Sequence, residues 1–475
     1  MEKIFGREEE IATLLSLKNS KKSEFVAVYG RRRVGKTFLV RNVFGEAFSF
    51  QLSGVARVGL KQHLANFHNA LLRLDLADPP KSPPRDWFDA FNRLGLALEK
   101  LNAPKKTVFL DELPWLDTPQ SSFIPALEYF WNSWASARND VLLIVCGSAA
   151  SWIINKLIND RGGLHNRVTE RIFLKPFTLA ETETFLRAKG CAFDRYQLLE
   201  LYMVMGGIPF YLEKIQANRS VAQNVDRLFF TEGGQLSGEY VNLYRSLFNR
   251  YEKHTSIVEA MSQKAKGLTR KEILDITKLP NGGSTTSVLD ELERSGFLRR
   301  YLPFGKGKRD ALYQLMDPYT LFYLSFVKDS KAQSKGAWLA QLDSPKWQAW
   351  SGYAFESVCW YHVDAIKKHL GISGVYTEIS TWRSLKTGQG AAQIDLLIDR
   401  KDRVINICEI KFSVKPFAIS KSYAENLRNK LMVFRTETGT NKTLFLTIIA
   451  ANGLAVNEYS QQLVQDALDM NALFG

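Results

Sequence analysis

The chain has 475 residues, too many for one ordinary core, so two to four domains are expected. Its 45% hydrophobic and 24% charged content is that of a soluble globular protein. The 63 basic and 49 acidic residues leave a formal net charge of +14, which favours polyanionic partners, nucleic acid among them. Cys146, Cys191, Cys359 and Cys408 are scattered, with no CxxC pair or Cys/His ligand spacing, which argues against a disulfide framework or a zinc site. The start MEKIFGREEE has no apolar signal region, and no apolar run is long enough to span a bilayer. A cytoplasmic protein without membrane contact is the expectation.

The first predicted strand is EFVAVY, residues 24–29. Behind it, Gly30-x4-Gly35-Lys36-Thr37 fits the Walker A pattern, and a helix is predicted over residues 37–43. The glycines let backbone N–H groups turn toward phosphate oxygens. Lys36 reaches the β- and γ-phosphates, and the Thr37 hydroxyl ligates Mg²⁺. The helix presents its positive N-terminus to the anion. Arg31, Arg32, Arg33 and Val34 fill the loop, and Phe38 follows it, so the predicted ATP cradle runs from Gly30 to Phe38. Three arginines in one turn repel each other. Contact with phosphate, contact with a neighbouring subunit and plain solvation all stay open for them.

Proline and charge cluster in DPPKSPPRDW, residues 78–87, which reads as a loop inside the same domain. Residues 107–110 then read as a buried strand ending in Asp111 and Glu112. The first carboxylate is placed to bind Mg²⁺ and the second to polarise the attacking water. Residues 141–146 form a third buried strand running into Gly147 and Ser148. Ser148 reads either as a γ-phosphate sensor or as an ordinary serine at a strand end. The Asp111 strand is expected parallel to the strand before the loop, with the Ser148 strand between them.

FGREEE, the Walker A loop, FLDEL, CGSAA, NRVTERIFLKPF and GGIPFYL occur in this order. Over about half the chain they resemble the prokaryotic AAA+/STAND-type ATPases, often called archaeal-type ATPases. The resemblance implies that Gly6 and Arg7 border the base. It implies that Pro209, in Gly207-Ile208-Pro209, belongs to a helical lid near the nucleotide. Arg167 or Arg171 is an arginine finger or sensor by the same resemblance, or pairs with a local carboxylate.

TEGGQLSGEY, residues 231–240, marks a boundary. Beyond it a helix over 269–277, a turn, a helix over 284–295 capped by Ser284, and two strands around residues 305–310 make a winged-helix pattern. Arg299, Arg300, Lys306, Lys308 and Arg309 lie in the wing and suit DNA phosphates. A spacer with a solvated wing is the alternative. The expected division is an ATPase with helical lid over 1–235, a winged helix over 236–327, a linker over 328–346 and a last domain over 347–475.

In the last domain an amphipathic helix carries Glu356, and a strand, turn and strand carry Asp395, Glu409 and Lys411. An acid on one strand and Glu-x-Lys on the next resembles PD-(D/E)XK nucleases, whose fold is the α/β restriction-endonuclease fold. Asp395 and Glu409, with Glu356, would hold Mg²⁺, and Lys411 would activate a water. Lys421 and Tyr423 fit the following helix. Directly opposed residues of an antiparallel pair share a face, so Asp395 opposite Glu409 requires a three-residue loop, Lys401 to Arg403. His362 and His369 read as ordinary helix histidines. The predicted fold class is therefore α/β: a P-loop parallel sheet with helical lid, a winged helix and a nuclease-like domain. The functional expectation is ATP hydrolysis with probable DNA as partner, oligomerisation being open. The alternatives are an NTP-controlled switch with an inactive nuclease-like domain, and a regulator using the winged helix alone.

Overall fold

The computed structural model describes residues 3–45, 47–74, 76–158, 166–248, 250–264, 266–330, 336–342, 344–384 and 391–475. The chain divides between Pro176 and Phe177 into two compact units.

The first unit is built on strands β1 (Glu24–Tyr29), β2 (Phe48–Ser53), β3 (Lys106–Asp111), β4 (Val141–Gly147) and β5 (Glu170–Phe173). Their order is β2-β3-β4-β1-β5, and every pairing is parallel. A parallel sheet is covered on both faces, so its strands are near-continuous apolar runs. β3 and β4 are accordingly buried at every position. β4 lies between β3 and β1, and Ser148 follows its last residue, as expected from sequence. Aromatic rings fill the core: Trp87 meets Phe67 and Phe123 edge-on, at 5.9 and 4.9 Å between centroids. The proline-rich loop ends where the Asp86 carboxylate accepts the Asp89 N–H at 2.8 Å and caps the helix Trp87–Lys100.

The second unit opens with helices Leu179–Ala188 and Arg195–Met205. Both begin with a capping box, Thr178 with Glu181 and Asp194 with Gln197. The compact division thus falls before the helical segment that the sequence reading joined to residues 1–235. Gly207 is fixed here by close approach: a Cβ would sit 1.9 Å from the Phe177 carbonyl oxygen.

Strands β6 (Leu268–Thr269), β7 (Leu298–Tyr301) and β8 (Leu312–Leu315) form an antiparallel sheet in the order β6-β8-β7. Helices Arg270–Thr277 and Gly283–Arg294 lie between β6 and β7 in sequence. The expected Ser284 cap is corrected: Gly282 is the N-cap, and no side chain caps the helix. The helix starts one residue early, on Gly283. Val288, Leu289 and Leu292 are buried on its inner face.

The described part of the segment 328–346 is anchored rather than a free linker. The Asp226 carboxylate accepts the N–H groups of Gly336 and Trp338, at 2.8 and 2.9 Å. Trp338 is 1% exposed, packed against Phe230, Phe322 and Trp347. Burying an indole of that size outweighs the loop-like composition around it. Residues 331–335 lie outside the described residues.

The last sheet is mixed: β9 (Thr377–Arg383), β10 (Gln393–Arg400), β11 (Val404–Lys411), β12 (Thr443–Ala450) and β13 (Asp466–Leu468), in the order β13-β12-β11-β10-β9. β9, β10 and β11 pair antiparallel, and β11, β12 and β13 parallel. The β10–β11 loop is Lys401 to Arg403, and Arg403 has φ 68°, the left-handed residue that closes such three-residue loops. Phe434 and Leu427 of the helix Lys421–Thr438 pack on the sheet with Leu397, Ile405 and Leu446. His362 is structural: its Nε2 accepts the Leu179 N–H at 3.0 Å, and burial lowers its pKa to about 4. His369 is exposed. Among the described residues no helix is long and apolar enough to cross a membrane.

Candidate functional site

The loop between β1 and the helix Lys36–Phe44 is shaped by its glycines. Gly30 and Gly35 have φ of 147° and 93°, and a Cβ on Gly30 would lie 2.3 Å from the Leu174 carbonyl oxygen. Arg33 is also left-handed, at φ 72°. Lys36 is 6% exposed, and its ammonium donates to the carbonyls of Gly30 and Arg31 at 3.0 and 2.9 Å. Burial pushes its pKa below the usual lysine value, opposed by the carboxylates of Glu112 and Asp111. Arg31 and Val34 are buried under the loop, Arg32 and Arg33 are half-buried, and Phe38 is exposed. Full solvation is therefore not the state of Arg31.

Thr37 and Asp111 meet, the hydroxyl donating to the carboxylate at 2.9 Å. Burial raises the Asp111 pKa, and the Thr37 hydroxyl works against that rise. Glu112 caps the strand end in a left-handed conformation, φ 46°. Backbone strain of this kind gathers at functional positions. Its carboxylate accepts the Ser148 hydroxyl at 2.7 Å, so β3 and β4 present Asp111, Glu112 and Ser148 together beside the loop. These are oxygen donors on the strand next to a lysine and a threonine, a set that fits Mg²⁺ with a nucleotide triphosphate.

At the chain's start Gly6 and Arg7 are both left-handed, φ 62° and 66°. Arg7 is 6% exposed and donates to the Lys175 carbonyl at 2.6 Å. Arg167 and Arg171 are exposed. Pro209 opens the short helix Pro209–Leu212 of the second unit.

In the last sheet the β10–β11 ladder ends with Leu396 opposite Cys408, which puts Asp395 and Glu409 at the next step. Glu356, on the helix Pro345–Tyr361, has a pKa raised to about 7, first by burial and then by the negative charges of Asp395 and Glu409. Lys266 and Lys411 act against that rise. Glu356 is thus within electrostatic reach of both strand carboxylates, while the β9–β10 pairing shifts register between Ile394 and Leu397, around Asp395. Each strand carboxylate already holds an ammonium. Lys266 reaches Asp395 at 2.7 Å, while Lys411 and Lys430 reach Glu409 at 2.9 and 2.5 Å. Tyr423 also donates to Glu409. Burial pushes the Glu409 pKa up, but Lys430 and Lys411 outweigh it and hold it down to about 2. Among the described residues no three His, Cys, Asp or Glu side chains are arranged as metal ligands. The oxygen chemistry suits Mg²⁺, whereas the arrangement is that of carboxylates neutralised by lysines.

The sequence reading missed Lys266 and Lys430. Neither lies in a motif, and Lys266 precedes Asp395 by 129 residues. Arg299, read as a wing residue, is instead turned inward, its guanidinium 3.3 Å from the Trp360 ring centroid.

Residues 4–215 match the family described as an ATPase domain predominantly from Archaea. An uncharacterized protein of Methanocaldococcus jannaschii is 22% identical over 433 residues, 90% of this chain and 92% of that protein. Among solved structures, the Walker-type ATPase PABY2304 of Pyrococcus abyssi superposes with a TM-score of 0.52 at 18% identity, over 68% of this chain and 96% of that one. The ORC2 protein of Aeropyrum pernix aligns at a TM-score of 0.39 and 14% identity, over 68% and 93% of the two chains. With the parallel sheet, the glycine loop and the Asp111–Glu112 pair in place, the match over residues 4–215 identifies a P-loop ATPase domain in this chain.

Proposed function

We propose that this ATPase acts on DNA, with a winged helix over residues 236–327 and a PD-(D/E)XK nuclease-like domain over 347–475 working in series with it. The ATPase chemistry follows from the first site. Lys36 neutralises charge on the β- and γ-phosphates, Glu112 polarises the attacking water, and Ser148 holds the Glu112 carboxylate and senses the γ-phosphate. Mg²⁺ bound at Thr37 and Asp111 supplies charge neutralisation on the transferred phosphate. By resemblance, Gly6 and Arg7 border the nucleotide.

The observation that supports the nuclease-like reading is the β10–β11 register, whose last pair, Leu396–Cys408, leaves Asp395 and Glu409 each one residue beyond it. Asp395, Glu409 and Glu356 are the acids available to a cation, and Lys411 the base or water-orienting group. A second reading is favoured by Lys266 and Lys430: an NTP-controlled switch whose last domain keeps the fold but is inactive, its acids paired with lysines.

The DNA contact is proposed at the exposed wing tip, where Lys306, Lys308 and Arg309 stand in solvent. Changing the three together to Ala should weaken binding to all duplex sequences alike. The slope of log affinity against log salt should fall by up to about three, close to one per lost phosphate contact. Anisotropy titrations at several salt concentrations read this out, and an unchanged slope removes the wing from the DNA contact.

A further inference from the structure

A cleft of about 300 Å³ opens between the β6-β8-β7 sheet and the β9–β10 edge of the last sheet. Both belong to the second unit. Three features mark it as built for a ligand. The first is Arg299. Its Nε and Nη2 both go to the Gln314 side chain, while its buried Nη1 has no hydrogen-bond partner among the described residues. A buried guanidinium N–H without an acceptor is costly, and a phosphate oxygen is the acceptor it fits best. The second is charge: Lys306 and Arg383 line the same cleft, with Lys264 and Lys266 paired to Glu272 and Asp395. The third is aromatic surface, from Tyr301, Phe304 and Trp382 in its walls. Glu356 and Asp395 also line it.

Cations that track a backbone, combined with rings on which bases stack, form the chemistry of single-stranded nucleic-acid binding. The volume is at the lower end of that of small-molecule sites, room for about one nucleotide. A duplex, whose major groove alone is about 12 Å wide, does not enter it. We infer that this cleft binds one segment of a single-stranded polynucleotide, with Arg299 taking a phosphate and the strand directed toward Glu356 and Asp395. The inference rests on the nuclease-like reading for what the strand meets there. It assigns duplex contact to the wing tip and single-strand contact to the cleft, with Lys306 common to both.

The test is fluorescence anisotropy on the full chain in EDTA. The probes are a labelled oligothymidylate, an oligouridylate and a blunt duplex. Variants are Arg299→Gln and Arg383→Glu, the second on the exposed rim, where folding is not at stake. Single strands should bind the wild type, and each variant should weaken that binding about tenfold, the worth of one charged hydrogen bond. Duplex affinity should move less. The two single strands show whether DNA, RNA or both are taken. Single-strand affinity unchanged in Arg383→Glu and in a folded Arg299→Gln overturns the inference, as does binding of duplex alone. If Arg299→Gln does not fold, Arg383→Glu decides by itself. EDTA separates binding from cleavage: if the variants lose single-strand binding and the wild type does not cut when Mg²⁺ or Mn²⁺ is supplied, the nuclease reading is removed and the cleft is kept.

Discussion

Lys36→Ala is expected to weaken ATP binding about 100-fold or more, measured by isothermal titration. The ammonium is the main point charge directed at the β- and γ-phosphates, and a hydrogen bond to a charged group contributes about 1.5–3 kcal/mol. Lys36 makes two such bonds, to the Gly30 and Arg31 carbonyls at 3.0 and 2.9 Å, and phosphate oxygens are expected to replace those acceptors when the nucleotide binds. The lysine is nearly fully buried. A thermal melt on the same sample reports whether the loop has survived the loss of its two tethers. Unchanged ATP affinity in a folded variant would place the nucleotide elsewhere.

Glu112→Gln is expected to keep ATP affinity and lower turnover by about 100- to 10,000-fold, the usual span for losing a general base. The amide matches the carboxylate in size and can still accept the Ser148 hydroxyl now bound at 2.7 Å. It cannot polarise water. Steady-state phosphate release and nucleotide titration on one preparation separate the two effects. A variant that turns over at the wild-type rate would move the catalytic role off Glu112, leaving that residue's left-handed backbone, φ 46°, without a chemical reason.

The first site was legible in the sequence because its chemistry is local. One loop of eight residues, from Gly30 to Thr37, carries the cradle, and two strand ends carry the acids. Buried parallel strands advertise themselves as apolar runs, so β1, β3 and β4 and their relative directions could be read. The β10–β11 register was legible for a related reason: side-chain alternation and a three-residue loop leave few registers. The edge strand β2, FSFQLS, alternates buried and exposed residues only at its end and gave no such signal. Long-range pairings were equally hidden. The tie of Lys266 to Asp395, the turn of Arg299 onto Trp360 and the docking of Trp338 join residues with no shared motif. Residues 328–346 read as a linker, yet two backbone N–H groups on Asp226 and one buried indole fix the described part.

The central claim is that one chain couples ATP hydrolysis to metal-dependent DNA cleavage. Its most direct test measures both activities side by side, on wild type and Glu409→Ala, with plasmid DNA and Mg²⁺ or Mn²⁺, with and without ATP. Glu409 lies in the second unit, while the residues assigned to ATP turnover lie in the first. The account predicts that the wild type hydrolyses ATP and nicks the plasmid, and that Glu409→Ala hydrolyses ATP but leaves the plasmid intact. ATP turnover with no nicking by the wild type under any of these conditions would contradict the claim and leave a nucleotide-controlled switch whose last domain pairs its acids with lysines.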